Sequence, residues 1–331
     1  MSLGYSLCAR FYRGGMARDA LARRSRFAAP NPVARRLVPT EADHLAFEAI
    51  DRHGPLPTHY LYAFVRHLRK DYSQFQNRLT ELYNGTITQP PWLTRPPQQF
   101  AGFHARYQHL VYDLAQPARL ALAQLGRAGL CSPGRTDPFL HRLMGACAAA
   151  SLELAAGGKG LRYITREEIL AHPKATKGRL AANPLAIPLP GLGDRSALIP
   201  DDLFGLEYPD HGYRFFAVEI DRNTESIVRK ALGQTSIARK LGAYLRLLRT
   251  GTYRDWWGVP NLNVLIVTTN PVHADNMCTH VGKHAEPAFA GRFAFKCIPD
   301  FGANWRVPGH LLDLLGAPWR TAAGTWDISR P

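Results

Sequence analysis

A chain of 331 residues is long enough for two domains, each with its own core. Its apolar fraction of 46% is ordinary for a globular protein, and no apolar run approaches the roughly 20 residues that a membrane helix needs. The formal charge of +15 favours polyanionic partners, nucleic acid first among them, while five scattered cysteines with no CxxC pair argue against a disulfide scaffold and fit free thiols in a reducing compartment.

Residues 1–36 are Arg-rich and nearly free of acids, without the apolar core of a secretory signal. Their composition fits an organellar transit peptide or a disordered basic arm, and Met16 is an alternative start. Order is expected from about residue 37. Thr40 is a good N-cap with Asp43 three residues on, and Leu45, Ala46, Ala49 and Ile50 follow at helical spacing until Gly54-Pro55. A second helix starts at Pro57-Thr58. A third is opened by Asp71 or Ser73 and closed by Asn84-Gly85, with Phe75, Leu79 and Leu82 on its buried face.

Three short helices followed by "PPWLTRPPQQFAGFHARYQHLVYDL" predict a winged helix-turn-helix over residues 37–130. The third helix would enter the major groove of double-stranded DNA. Gln74, Asn77 and Arg78 carry side chains suited to base edges, since Asn and Gln pair with adenine and Arg with guanine. Arg95, Gln98, Gln99 and Arg106 would meet phosphates.

The Gly, Ser and Pro residues of "GLCSPGRTDP" mark a boundary, and a second domain is expected over residues 138–315, with 316–331 as a tail. It opens with a small-residue-rich helix ending at Gly157-Gly158, where "GGKG" is a helix end rather than a phosphate loop. "RYITREEIL" adds a strand and turn, and the Pro/Gly-rich "HPKATKGRLAANPLAIPLPGLGD" a loop. Two strands, "ALIPDDLFGLE" and "YRFFAVEID", precede the amphipathic helix "SIARKLGAYLRLLR". "NLNVLIVTTN" reads as a strand buried on both faces, followed by a helix and a last strand, "RFAFKCIPDF". The order predicts an α/β fold with a central mixed sheet and helices on its faces. His273, Cys278, His280, His284 and Cys297 are too loosely spaced for zinc, and a packed or solvated helix accounts for them.

The acids carry the chemical signal. Alternation places Glu219 and Asp221 on one face of their strand, with Phe215 and Ala217, and Phe216, Val218 and Ile220 on the other. Two carboxylates so close at the end of an apolar strand raise each other's pKa unless a cation relieves them. Mg²⁺ or Mn²⁺ prefers such oxygen ligands. Asp201 ends the neighbouring apolar approach, so Asp201, Glu219 and Asp221 are expected to converge on one metal. Capping of an ordinary hairpin is the competing account of each acid taken singly.

With "IPDDLF", "FFAVEIDRNTE" and "KLGAYL" in that order, the chain resembles the PD-(D/E)XK, restriction-endonuclease-like fold. Over about residues 38–270 it resembles, more narrowly, the replication-relaxation family of plasmids and mobile elements. The resemblance implies a bacterial cytoplasmic DNA-binding protein, nucleoid- or plasmid-associated, that handles or nicks DNA in replication or relaxation. Pro200-Asp201 matches the family's PD and Glu219 its acid. Asp221 stands where the nuclease pattern has Lys, which in that fold steadies charge on phosphorus. Some members move that Lys to the next helix, where Lys240 is the candidate, ahead of Arg239 and Lys230. Glu153 stands where some nucleases of this fold place a further acid.

Three activities follow as expectations: a Mg²⁺-dependent endonuclease or nickase, a relaxase with Tyr244 as nucleophile, and a non-catalytic origin-binding, accessory or regulatory protein on a decayed nuclease fold. A homodimer on a two-fold DNA site is left open, and no heptad run supports a coiled coil.

Overall fold

The structure, a computed structural model, describes residues 30–100, 107–129, 138–189, 197–210, 212–222 and 237–331. The chain divides into two compact units, residues 1–51 with 57–128, and 52–56 with 129–331. No helix among the described residues is long and apolar enough to cross a membrane.

In the first unit, α1 (Glu41–His53) begins where the Thr40 backbone N–H and hydroxyl both donate to Asp43 Oδ2, at 2.7 and 2.9 Å. Strand β1 (Leu56–Pro57) leads into α2 (Thr58–Val65). The next helix, α3 (Tyr72–Asn84), is capped by Asp71, whose side chain accepts the Gln74 N–H at 2.8 Å. It stops at Gly85, where φ is +66° and a Cβ would stand 2.8 Å from the Gln89 carbonyl oxygen. Its buried side chains are Phe75, Leu79 and Leu82, as the helical period predicts. Strands β2 (Leu93–Thr94) and β3 (Val111–Leu114) complete a three-stranded sheet in the order β1-β3-β2. A fourth helix absent from the sequence reading, α4 (Gln116–Gln124), follows with Pro117 in its first turn.

In the second unit, α5 (Phe139–Gly158) buries Ala146, Ala148, Ala150, Leu143 and Leu152, so the small residues let it lie close to the sheet. A Cβ at its Gly145 would stand 3.5 Å from Ile220. The central sheet has seven strands: β4 (Arg162–Ile164), β7 (Asp202–Glu207), β8 (Tyr213–Asp221), β9 (Asn263–Thr268), β10 (Phe293–Cys297), β11 (Trp319–Thr321) and β12 (Gly324–Trp326). Their order is β12-β11-β10-β9-β8-β7-β4. Strands β8, β9 and β10 run parallel and the remaining pairs antiparallel, so the sheet is mixed. Strand β9 is buried at all six positions, as a central strand must be.

Between these strands lie α6 (Arg166–Ala171), the paired strands β5 (Ile187–Pro188) and β6 (Ala197–Leu198), α7 (Ile237–Thr250), α8 (Tyr253–Trp257), α9 (Pro271–His284), α10 (Pro287–Ala290) and α11 (Asp313–Gly316). Thr165 and Glu168 form a reciprocal capping box at the start of α6. Helices α7 and α9 share one core with Ala217, Val264 and Ile266, while Phe216 and Ile220 face the other side, toward α5.

The segment expected as a tail after residue 315 is part of this unit. Strands β11 and β12 extend the sheet, Tyr208 donates its hydroxyl to the Ile328 carbonyl at 2.7 Å, and Trp326 lies 5.9 Å from the Phe216 ring. The sheet therefore does not end at "RFAFKCIPDF". Two three-residue strands joined by a short turn carry too little period-2 pattern to stand out in sequence.

Candidate active site

The site is built by strand register. Asp202 pairs with Val218, and the Asp201 N–H donates to the Val218 carbonyl at 2.9 Å, so the ladder continues one residue beyond β7. Asp201 is thereby placed across the strand pair from Glu219. One Asp201 oxygen accepts the Ile220 N–H at 2.8 Å, and the other faces His141 Nε2 at 3.0 Å, from the first turn of α5. Burial works against its charge, yet His141, Lys240 and the Ile220 N–H together hold the carboxyl well below its ordinary range.

Glu219 has the opposite electrostatics. Only 2% of it is exposed. Burial, reinforced by repulsion from Asp201, pushes its carboxyl up to about 7 against the pull of Lys240 and Tyr244. Those two partners come from one face of α7, four residues apart. Lys240 Nζ forms an ion pair with Glu219 Oε2, and the Tyr244 hydroxyl donates to Oε1. Lys240 keeps about a third of its side chain exposed. Tyr244 is fully buried, and burial beside Glu219 raises its phenol well above the ordinary value. An enclosed phenol already donating to a carboxylate is poorly placed to attack a phosphodiester as a relaxase nucleophile.

Asp201, Glu219 and Lys240 thus come together. Asp221 has a different partner. It lies two residues further along β8, and Oδ2 is 2.6 Å from Nε2 of His273, where α9 crosses the strand end. Both are 7% exposed. Among the described residues, no three His, Cys, Asp or Glu side chains are arranged to hold a metal ion, which corrects the expected three-acid set. A pair of carboxylates still fits Mg²⁺, which is held through one or two acids and completes its shell with water and substrate phosphate.

His141 was not foreseen. It lies 60 residues before Asp201, and nothing local in "DPFLHRLM" marks it. Glu153 is not part of the cluster. It is bound by Arg52, and by His53 at 2.6 Å. The His280 and His284 rings lie 4.4 Å apart at an interplanar angle of 44°, with no metal group around them among the described residues. Arg239 is exposed on α7, and Lys230 lies outside the described residues.

In the first unit, Gln74 and Asn77 are exposed on α3, as a reading face requires. Arg78 is committed elsewhere. It donates to Asp43 Oδ2 at 2.7 Å, to Glu81 at 3.3 Å and to the Val38 carbonyl at 2.8 Å, with 15% of its side chain exposed. Arg95 is likewise internal. Its guanidinium lies 4.1 Å over the Tyr83 ring and donates to the Tyr112 hydroxyl at 2.9 Å. Gln99 is buried and bonds both backbone groups of Val111 at 2.9 Å. Gln98 is exposed, and Arg106 lies outside the described residues. Arg66 and Lys70, which precede α3, are exposed. Lys70 and Gln74 border a cleft of about 290 Å³ with Arg69 and Phe75.

No curated protein and no solved structure matches the chain. A family profile does match, under the description "replication-relaxation", over residues 47–261, well over half of the chain and inclusive of Asp201, Glu219, Lys240 and α3. The chain therefore belongs to the replication-relaxation family.

Proposed function

We propose that this protein acts on the DNA of a plasmid or mobile element, in replication or relaxation, as a Mg²⁺- or Mn²⁺-dependent nickase. In this reading the first unit is a winged helix-turn-helix that chooses the site on double-stranded DNA, and the second is a PD-(D/E)XK nuclease. Family membership supports the DNA context. The order helix, strand, helix, helix, strand, strand in the first unit supports the winged helix. The order α5, β4, β7, β8, α7, β9 around a mixed sheet supports the nuclease core.

One observation carries the catalytic reading: Lys240 forms an ion pair with Glu219 from α7, across the strand from Asp201. It brings an acid pair and a lysine together although Asp221 occupies the strand position where the nuclease pattern has Lys. Asp201 and Glu219 would hold the cation, which supplies Lewis acidity to the scissile phosphate and to the attacking water. Lys240 would donate to the phosphoryl oxygen as charge builds on it. His141 fixes the Asp201 carboxylate, and Tyr244 fixes that of Glu219.

A second reading is a binding protein without catalysis. It is favoured by the internal partner of each acid: His141 for Asp201, Lys240 and Tyr244 for Glu219, His273 for Asp221.

Purified protein with supercoiled plasmid and Mg²⁺ or Mn²⁺ separates the two. Open circles formed by wild type and lost in both Asp201→Ala and Glu219→Ala are expected. Salt-sensitive DNA binding without open circles, in either metal, would establish the binding protein instead.

A further inference from the structure

We propose that a cleft at the far end of the central sheet from the acids is a nucleotide-binding site. It would stack a base on Trp326 and hold its phosphate with Arg214 and Arg292. The cleft has a volume of about 480 Å³ and lies where β8 and β9 begin. Ligand pockets commonly run from about 300 to 1,000 Å³. From Tyr213 to Glu219 along β8 is about 20 Å, at ~3.3 Å per residue. The site is therefore separate from the acids, and it stands whether or not they cut DNA.

The lining has the chemistry of a nucleotide. It contains two guanidinium groups, an indole, a phenol and two side-chain amides, from Asn261 and Asn263, and no acid. Among the described residues, several other arginines of this unit are matched with carboxylates: Arg162 with Glu207, Arg166 with Glu167, Arg249 with Glu286, Arg320 with Asp275. Arg214 and Arg292 have no such partner among the described residues. Arg214 lies 5.2 Å over the Trp326 ring, and Arg292 spends one N–H on the Leu262 carbonyl at 3.3 Å.

The rim of the cleft is held in place. Tyr213, whose side chain lies on the face of β8 opposite Arg214, anchors its hydroxyl on Glu207 at 2.9 Å. Asn261 donates to the Tyr213 carbonyl at 2.8 Å and accepts the Phe215 N–H at 3.1 Å, which fixes the strand entrance. Gly291 adds no bulk, and a Cβ there would meet nothing within 4 Å. A nucleotide has a base π-face for the indole and a phosphate for the cations. A carboxylate ligand uses only the second.

The test uses the full chain and a short oligothymidylate carrying a photoreactive bromodeoxyuridine. Cross-links mapped to Trp326 are expected. Arg214→Gln with Arg292→Gln should weaken binding of a fluorescent oligothymidylate by about tenfold or more and reduce the salt slope by about 1, with thermal stability unchanged. Trp326→Phe should retain binding that Trp326→Leu loses. Thymidine monophosphate competing as well as the oligomer assigns the site to free nucleotides, and competition by the oligomer alone assigns it to a single strand. Cross-links confined to other residues, unchanged affinity in the double arginine variant, or displacement by oligoglutamate as effective as by oligothymidylate would each overturn the proposal.

Discussion

Lys240 on α7 reaches Glu219 on β8, so a helix supplies the cation that the strand lacks. If this ammonium steadies charge on phosphorus, its loss removes an interaction made mainly in the transition state. Lys240→Ala should lower the single-turnover nicking rate by about 10²–10³ while Mn²⁺ binding persists. Lys240→Arg should recover part of the rate. Unchanged nicking in Lys240→Ala would remove Lys240 from the mechanism.

Glu219 makes stability depend on pH. In the unfolded chain it releases its proton near its ordinary value of 4.5, and in the folded protein at about 7. Between those values the folded state holds more protons, so stability falls as pH rises, by on the order of 3 kcal/mol once pH 8 is reached. In EDTA, wild type should melt lower at pH 8 than at pH 5, and Glu219→Gln should flatten that dependence. Mg²⁺ should restore part of the loss at pH 8, where it meets a charged carboxylate. Parallel pH profiles for the two proteins would show that Glu219 is not the group responsible.

Periodicity in the sequence located α1, α2, α3, α5, α7 and α9 and the strands that carry the acids, because each buries one stripe or one face. Asp201 and Glu219 were legible because each is an acid set in or beside an apolar strand-like run. Lys240 needed the family pattern. His141 and His273 were not assigned to the acids, since each comes from a helix distant in sequence and packing alone decides the contact. Arg78 and Arg95 show the converse limit. A basic residue at a suggestive helical or wing position cannot be told from one held by a buried acid or an aromatic pair until the fold is known. Strands β11 and β12 were missed because three-residue strands owe their existence to the neighbour they pair with.

Glu153 tests the division between structural and catalytic acids. Burial opposes its charge, but His53 and Arg52 outweigh it and hold the carboxyl at about 2. Its contribution is present above pH 4.5 and is lost as pH falls toward 2. Glu153→Ala leaves Arg52 and the buried His53 without that partner, and should cost about 2–3 kcal/mol in urea unfolding at pH 7. Nicking per folded molecule should not change. A large loss of nicking at full stability would bring Glu153 into the catalytic set.

The same reasoning divides the polar residues of α3. Asp43 is 1% exposed and Arg78 is its partner, so Arg78→Ala strands a buried carboxylate. It should cost about 2–3 kcal/mol of stability. Gln74→Ala and Asn77→Ala change exposed side chains and should leave the melting temperature where it is. If α3 enters a major groove, each should weaken binding to the cognate site by about 1–3 kcal/mol and leave non-specific binding alone. Competition titrations with cognate and scrambled duplexes read that difference directly. Equal losses on both duplexes would mean that α3 touches only phosphates. No loss on either would take α3 out of the interface and leave Arg66 and Lys70, in the turn before it, as the residues to change next.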